Sequence, residues 1–357
     1  MNHKKIKFSH VFSLFLGLIV STLTCCSQNN SDAQPLPKTT FTNPVWDGAD
    51  PWMVKYNNDY IYCWSANNSI NISRSAKMTK WGELKRIWQA PATGWNRSCV
   101  WAPEIHFIQG RWYVYYAAGE SGPPFIYQRT GVLRSATDDV FSDYEDMGVL
   151  YTGDKPSDPA SNVWAIDLTT LEHKGKLYAI WSGWAKQETT DATQQHLYIS
   201  EMENPYTMKG KRVKLSSPAE SWETGGPLNL NEGPEILKNG EKVFVIYSCR
   251  ESWLVEYRQG MLQLINPDGD LLDPANWKKT GPVFQGNSQV FGVGHCSFVK
   301  SPDDTEDWII YHSKKSATPG WERDVRMQPF KWNADGTPNF GETIPAGKPI
   351  NLPSGEK

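Results

Sequence analysis

A chain of 357 residues, 39% of them hydrophobic, carries enough apolar material for a sizeable core, built as two average domains or as one large all-β domain. A net charge of −3 with no basic stripe argues against nucleic acid as a partner. The 17 Trp, 15 Tyr and 13 Phe favour strands, and rings not used in packing offer flat faces that suit the C–H faces of sugars.

The N-terminus reads as a targeting segment. Lys4, Lys5 and Lys7 precede an apolar run over residues 11–24, short for a membrane span and shaped like the core of a signal peptide. The run ends in Leu23-Thr24-Cys25-Cys26, which resembles a bacterial lipobox with Cys26 as the lipidated residue and Cys25 at an atypical preceding position. Residues 1–26 are thus expected to form a lipoprotein-type leader, and the polar residues 27–41 a flexible tether. Export to the cell envelope follows, with membrane contact only through the lipid; a plain secreted chain is the alternative. Beyond the leader, Cys63, Cys99, Cys249 and Cys296 show no metal-binding spacing. Buried thiols suit the apolar runs around Cys63 and Cys249, and a single disulfide stays open in an exported chain.

From residue 42 onward one plan recurs: a polar head, a short strand, a turn and an aromatic strand. It appears from Asp50, Trp101, Asp167, Glu232 and His295, with heads 51, 66, 65 and 63 residues apart. In the fourth unit Asn239-Gly240 separates two apolar runs, a strong hairpin signal. Further strand-like pieces follow at residues 70–75, 131–135, 196–200, 261–265 and 325–332, and no 3.6-residue period runs long enough for a major helix. Five such units predict an all-β, five-bladed β-propeller over residues 42–357, with the heads beside the central channel.

The fourth head carries two acids, Glu232 and Glu235. Aligning the pairs Trp64-Ser65, Trp181-Ser182 and Tyr247-Ser248 puts Asp50, Asp167 and Glu232 at 14, 14 and 15 residues before the aromatic. That places Glu232 in register with Asp50 and Asp167, while Pro234-Glu235-Ile236 matches Pro103-Glu104-Ile105 and makes Glu235 a structural carboxylate. Three channel carboxylates can separate an acid from a base near neutral pH, and glycoside hydrolysis needs such a pair. A turn or cap is the ordinary role for any one of them.

The chain resembles glycoside hydrolase family 43 over about residues 42–345. The resemblance rests on Asn43-Pro44 with Ala49-Asp50-Pro51, Trp101-Ala102-Pro103-Glu104, Ile166-Asp167, Glu232-Gly233-Pro234 and Gly294-His295-Cys296-Ser297-Phe298, in that order. It implies a five-bladed propeller and an inverting hydrolase. Asp50 would be the general base, Glu232 the general acid and Asp167 the residue that orients the acid and tunes its pKa. Inversion implies about 6.5–9.5 Å between the base and acid carboxyls. It also implies a calcium-type ion in the channel near His295, held through water, and no required cofactor. The family usually has Asn where this chain has Cys296.

Trp101 is expected to floor the sugar site, with Trp52, Trp164 and Trp184 stacking on neighbouring sugar units and Arg323 reaching a hydroxyl. Blade packing, or an ion pair for Arg323, is the ordinary alternative. The family acts on α-L-arabinofuranosides, arabinan and β-xylosides, and the segment RMQPFKWNADGTPNFG is similar to that of arabinan-active members. The expected function is an α-L-arabinofuranosidase acting as a monomer on an oligo- or polysaccharide. The alternatives are a β-xylosidase or endo-arabinanase of the same family, or a noncatalytic glycan-binding propeller on the cell surface.

Overall fold

The computed structural model describes residues 39–357, so the expected leader, Cys26 and most of the tether lie outside the described residues. Five antiparallel sheets form the blades of a propeller. Blade 1 comprises Trp52–Tyr56, Asp59–Ala66, Ser69–Ser75 and Glu83–Gln89, from inside to outside. Blades 2, 3 and 4 begin with the inner strands Ser98–Ile108, Ala165–His173 and Asn231–Asn239. Blade 5 is built from Phe291–Lys300, Asp307–Lys314 and Arg323–Trp332. The only helices among the described residues are the 3-10 turns Pro159–Ser161 and Pro274–Asn276.

Second strands are apolar on both faces because both faces are covered by neighbouring blades. In Lys176–Gly183 every residue after the first is buried, whereas the outer strand Trp277–Gln285 is largely exposed. The core is accordingly divided into five large apolar clusters, one between each pair of adjacent blades, and a sixth, smaller one of Ala117, Trp164, Ile166 and Trp184. The expected hairpin forms, with Asn239 paired to Lys242 and Gly240 at φ 57°, a conformation that glycine enters without strain. Among the described residues Cys63, Cys99, Cys249 and Cys296 form no disulfide with one another, and all but Cys99 are buried.

The ring is closed by a segment the sequence pattern does not announce. Trp46–Asp47 supplies the outermost strand of blade 5, pairing with Val325 and Asp324. Thr40–Thr42 pairs with Pro349–Asn351, so regular structure starts inside the stretch expected to be tether. Between these two pairings the Asn43 amide accepts from Met327 N–H at 3.0 Å and donates to Met327 O at 2.9 Å.

Candidate active site

Each inner strand enters the channel through a left-handed residue. Asp50 (φ 49°), Ala102 (42°), Asp167 (53°), Gly233 (50°) and His295 (47°) hold equivalent positions in the five blades. Four are not glycine, and strained backbone of this kind persists only where the surroundings enforce it. Pairing slips across this point in blades 2, 3 and 4. Trp101, Ile166 and Glu232 pair before it with Ala117, Ser182 and Ser248, and Glu104, Thr169 and Glu235 pair after it with Tyr115, Ile180 and Ile246.

This corrects the register expected from the sequence. Gly233, not Glu232, stands with Asp50 and Asp167, and Glu232 stands one residue earlier with Trp101 and Ile166. Counting 14 residues back from Tyr247 reaches Gly233, so the 15-residue gap to Glu232 is the mark of the shift. Glu232 still faces the cavity, because Trp101 and Ile166 at its equivalent positions do so too. In blade 5 the matching residue is Gly294, where a Cβ would come within 2.2 Å of the Tyr257 ring. Glycine there makes room for Tyr257 beside the acid.

The heads open into a cavity of about 570 Å3, within the usual range for small-ligand sites. Asp50, Asp167 and Glu232 line it, with Trp101, Trp164, His295 and Arg323. Trp164 is braced from behind by Trp184, its ring 4.7 Å away and nearly parallel, and donates from Nε1 to Phe125 O at 2.7 Å. Trp184 itself is fully buried and does not line the cavity. Trp52 does not reach it either. Its ring packs between blades 1 and 2 against His106, and its Nε1 donates to Ile105 O at 2.9 Å. Trp52 and Trp184 therefore take the packing roles that were the alternative to sugar stacking.

The three carboxyl groups are placed in contrasting surroundings. Asp50 Oδ1 lies 3.3 Å from Arg323 Nη1, 3.3 Å from His295 Nδ1 and 3.2 Å from His312 Nδ1. Burial opposes its ionisation, but the Arg323 guanidinium, with His295 adding to it, outweighs that and holds Asp50 well below the usual carboxylate range. Glu232 Oε1 accepts from Tyr257 Oη at 2.8 Å. Burial, with Asp50 adding to it, pushes Glu232 up to about 7 against the opposing pull of Tyr257 and Arg323. Asp167 Oδ2 accepts from Gly233 N–H at 3.0 Å, tying it to the backbone that carries the acid. Burial and the charge of Glu232 raise Asp167 well above its ordinary value. Asp50 is thus the carboxyl of the three that is held ionised, and Asp167 and Glu232 are the two whose protonated forms are favoured.

Two polar groups that the sequence pattern did not single out complete this arrangement. His312 Nδ1 accepts from Asp50 N–H at 3.1 Å, and burial lowers its pKa to about 4, so the ring is neutral with its proton on Nε2. The signal for it is in the sequence: His312 follows Tyr311 where the other blades have Ser65, Ala117, Ser182 and Ser248 after their aromatics. Tyr257 stacks on His312 with centroids 5.4 Å apart, so one aromatic pair joins the Asp50 and Glu232 sides of the site. Tyr257 sits in an aperiodic loop, and nothing in the sequence pattern marks it.

One step deeper, Glu104 and Glu235 are buried at matching positions, as the sequence alignment placed them. For the ion expected near His295, no three His, Cys, Asp or Glu among the described residues converge as direct ligands. An ion beside His295 would therefore have to be held through water.

With this geometry in hand, comparison with known proteins gives concordant results. The family model described as glycosyl hydrolases family 43 matches residues 41–338. The chain is 32% identical over 343 residues to a protein of Streptomyces avermitilis named extracellular exo-α-(1→5)-L-arabinofuranosidase, covering 92% of this chain and 69% of that one. It is 29% identical to α-L-arabinofuranosidase 43 of Humicola insolens, over 96% of this chain and 70% of that protein. Among solved structures, the α-L-arabinofuranosidase from Lactobacillus brevis superposes with a TM-score of 0.77 at 32% identity, covering 86% of this chain and 98% of that one.

Proposed function

The chain belongs to glycosyl hydrolases family 43, and from that premise we propose an exo-acting, inverting α-L-arabinofuranosidase that removes terminal arabinofuranosyl units from arabinan or arabinose-bearing plant polysaccharides. The observation that carries the proposal is the contrast between Asp50, held ionised by Arg323 and its neighbours, and Glu232, whose pKa of about 7 keeps a proton available. In this reading Asp50 takes a proton from water as that water attacks the anomeric carbon. Glu232 gives its proton to the departing oxygen, and Asp167 orients Glu232 and keeps a proton in the pair. Trp101 and Trp164 supply apolar walls to the sugar that is cleaved.

The exo mode is supported by the walls and by the name of the Streptomyces avermitilis relative. On the site face, blades 2 to 5 carry long second-to-third connections at residues 120–128, 184–195, 250–257 and 315–322. Blade 1 has a tight turn at Asn67 and Asn68, both with positive φ. A site walled on four of five sides suits a chain end better than the middle of a polymer. The relative's name also supports export, and lipidation of Cys26 is the finer proposal, checked by labelling with a palmitate analogue that Cys26→Ala should abolish.

The decisive experiment follows the anomer released from 4-nitrophenyl α-L-arabinofuranoside by NMR, beside hydrolysis of the β-D-xyloside. We expect the β-anomer of arabinose first, little xyloside hydrolysis, and a loss of at least about 100-fold in Asp50→Asn. Glu232→Gln should lose more on arabinan than on the aryl glycoside, whose leaving group needs no proton. Preferred xyloside hydrolysis would overturn the substrate, retention would overturn the mechanism, and no turnover of any glycoside would favour a glycan-binding protein.

A further inference from the structure

The cavity has two kinds of aromatic wall. Phe125 and Trp164 are built in: Trp164 bonds Phe125 O, Asp191 accepts the Phe125 N–H at 2.9 Å, and Trp184 backs Trp164. Trp253 and Trp321 are different. They line the rim on the loops of blades 4 and 5, their centroids lie 4.9 Å apart at 49°, and Trp321 is 60% exposed. Water contacts so large an indole at a cost that packing elsewhere in this protein avoids, and many of its other Trp rings are buried in the blades.

The pair is held in place although its outer surface is free. Gly320 N–H donates to Trp253 O at 3.0 Å, and Lys314 Nζ donates to Gly320 O at 2.6 Å, so the two loops are clamped together and to the second strand of blade 5. The first loop carries, and the second leads directly into, a residue that contacts one of the channel carboxyls. Trp253 precedes Tyr257, which holds Glu232, and Trp321 precedes Arg323, which holds Asp50. The arrangement is a rigid aromatic surface fixed relative to both the acid and the base.

From this geometry we propose that Trp253 and Trp321 form the subsite for the sugar of the leaving group, stacking on the arabinofuranosyl unit that departs from Glu232. The inference rests on the arabinofuranosidase reading and deepens it. The departing oxygen must lie on the Glu232 side of the cleaved bond, since Glu232 protonates it. Trp253 rises from the same blade as Glu232, and Trp321 stands against it. The cleaved sugar itself is confined by Trp101, Trp164 and the channel heads, so the exposed pair is left to read what is attached to it.

The test compares Trp253→Ala, Trp321→Ala and Trp321→Phe with the wild type on α-1,5-L-arabinotriose, and measures product inhibition by L-arabinose in each. The expected result is a five- to tenfold fall in kcat/KM for arabinotriose in the alanine variants, carried mainly by KM. Trp321→Phe should recover most of it, and the inhibition constant for arabinose should not change. Unchanged arabinotriose kinetics in both alanine variants would overturn the subsite while leaving the proposed activity intact. A parallel rise in the arabinose constant would also overturn it, by assigning the pair to the cleaved sugar. A wild type that releases arabinose from no oligosaccharide would overturn the reading of the activity and this inference with it.

Discussion

At the scale of single residues, the acid role proposed for Glu232 turns on which of its oxygens is already engaged. Tyr257 donates to Glu232 Oε1, so that oxygen acts as acceptor and the transferable proton belongs on Oε2. The hydrogen bond also favours the ionised carboxyl, working against burial and against the charge of Asp50, while Arg323 pulls the same way as Tyr257. Glu251 and Asp167 are the remaining acids near this group. Removing the bond in Tyr257→Phe should raise the Glu232 pKa, so the basic limb of the kcat/KM profile should move above its expected position near 7. The maximal rate should fall several-fold, because the carboxyl loses its anchor. A basic limb that stays in place or moves down would show that Tyr257 does not act on the acid. Asp50 and Asp167 were legible in the sequence because charge at repeated positions is costly and therefore conspicuous, whereas Glu232 was found one residue off its true register and owed its role to the family resemblance. Tyr257, Trp253 and Trp321 were not, because their loops share no period with the blades. Trp52 and Trp184 misled for the opposite reason: lying in the same blade as a channel carboxylate does not say which face of the blade a ring joins.

At the scale of the strand, the slip around each left-handed head decides which side chains reach the cavity and which go deeper. The sequence placed Glu235 beside Glu104 correctly, since that match lies wholly after the slip, but misaligned Glu232, which lies before it. The two deeper acids have consequences for stability. Burial raises Glu235 well above its ordinary value, and burial together with Glu235 does the same to Glu104. Glu235 Oε2 has no hydrogen-bond partner, and His106, 3.1 Å from Glu104, is kept neutral by burial with its pKa down at about 3. A carboxyl whose folded pKa exceeds its unfolded value supports the fold fully below the unfolded value, and that support is lost as pH rises towards the folded one. Glu235→Gln keeps the shape and removes the titration. Its melting temperature should therefore exceed that of the wild type at pH 8 and nearly match it at pH 4. Equal melting at both values, or a variant less stable at pH 8, would mean that the Glu235 carboxylate is accommodated in the channel.

For the whole molecule, the repeats announced five blades, and the strands at residues 70–75, 131–135 and 196–200 lie within Ser69–Ser75, Arg129–Ser135 and His196–Asn204. Closure of the ring was not legible, because Trp46–Asp47 is too short to show a period and its partner lies far away in sequence. Short pairing of this kind needs reinforcement, and Asn43 provides it by bonding both backbone groups of Met327 from a position 1% exposed. Its side chain serves as one further rung between the first and last parts of the ring. Asn43→Ala would leave a buried N–H and a buried carbonyl without partners, at about 1–3 kcal/mol for each. The expected result is a loss of about 2–6 kcal/mol in unfolding free energy, with faster hydrogen exchange concentrated in Arg323–Trp332 and the N-terminal segment that pairs with it. The same strand carries Arg323, so loosening it should also weaken the hold on Asp50. Activity should decline at temperatures where the closure opens, before the other four blades melt. A variant that melts with the wild type, and whose activity fades no sooner, would show that the backbone pairings alone keep the ring shut.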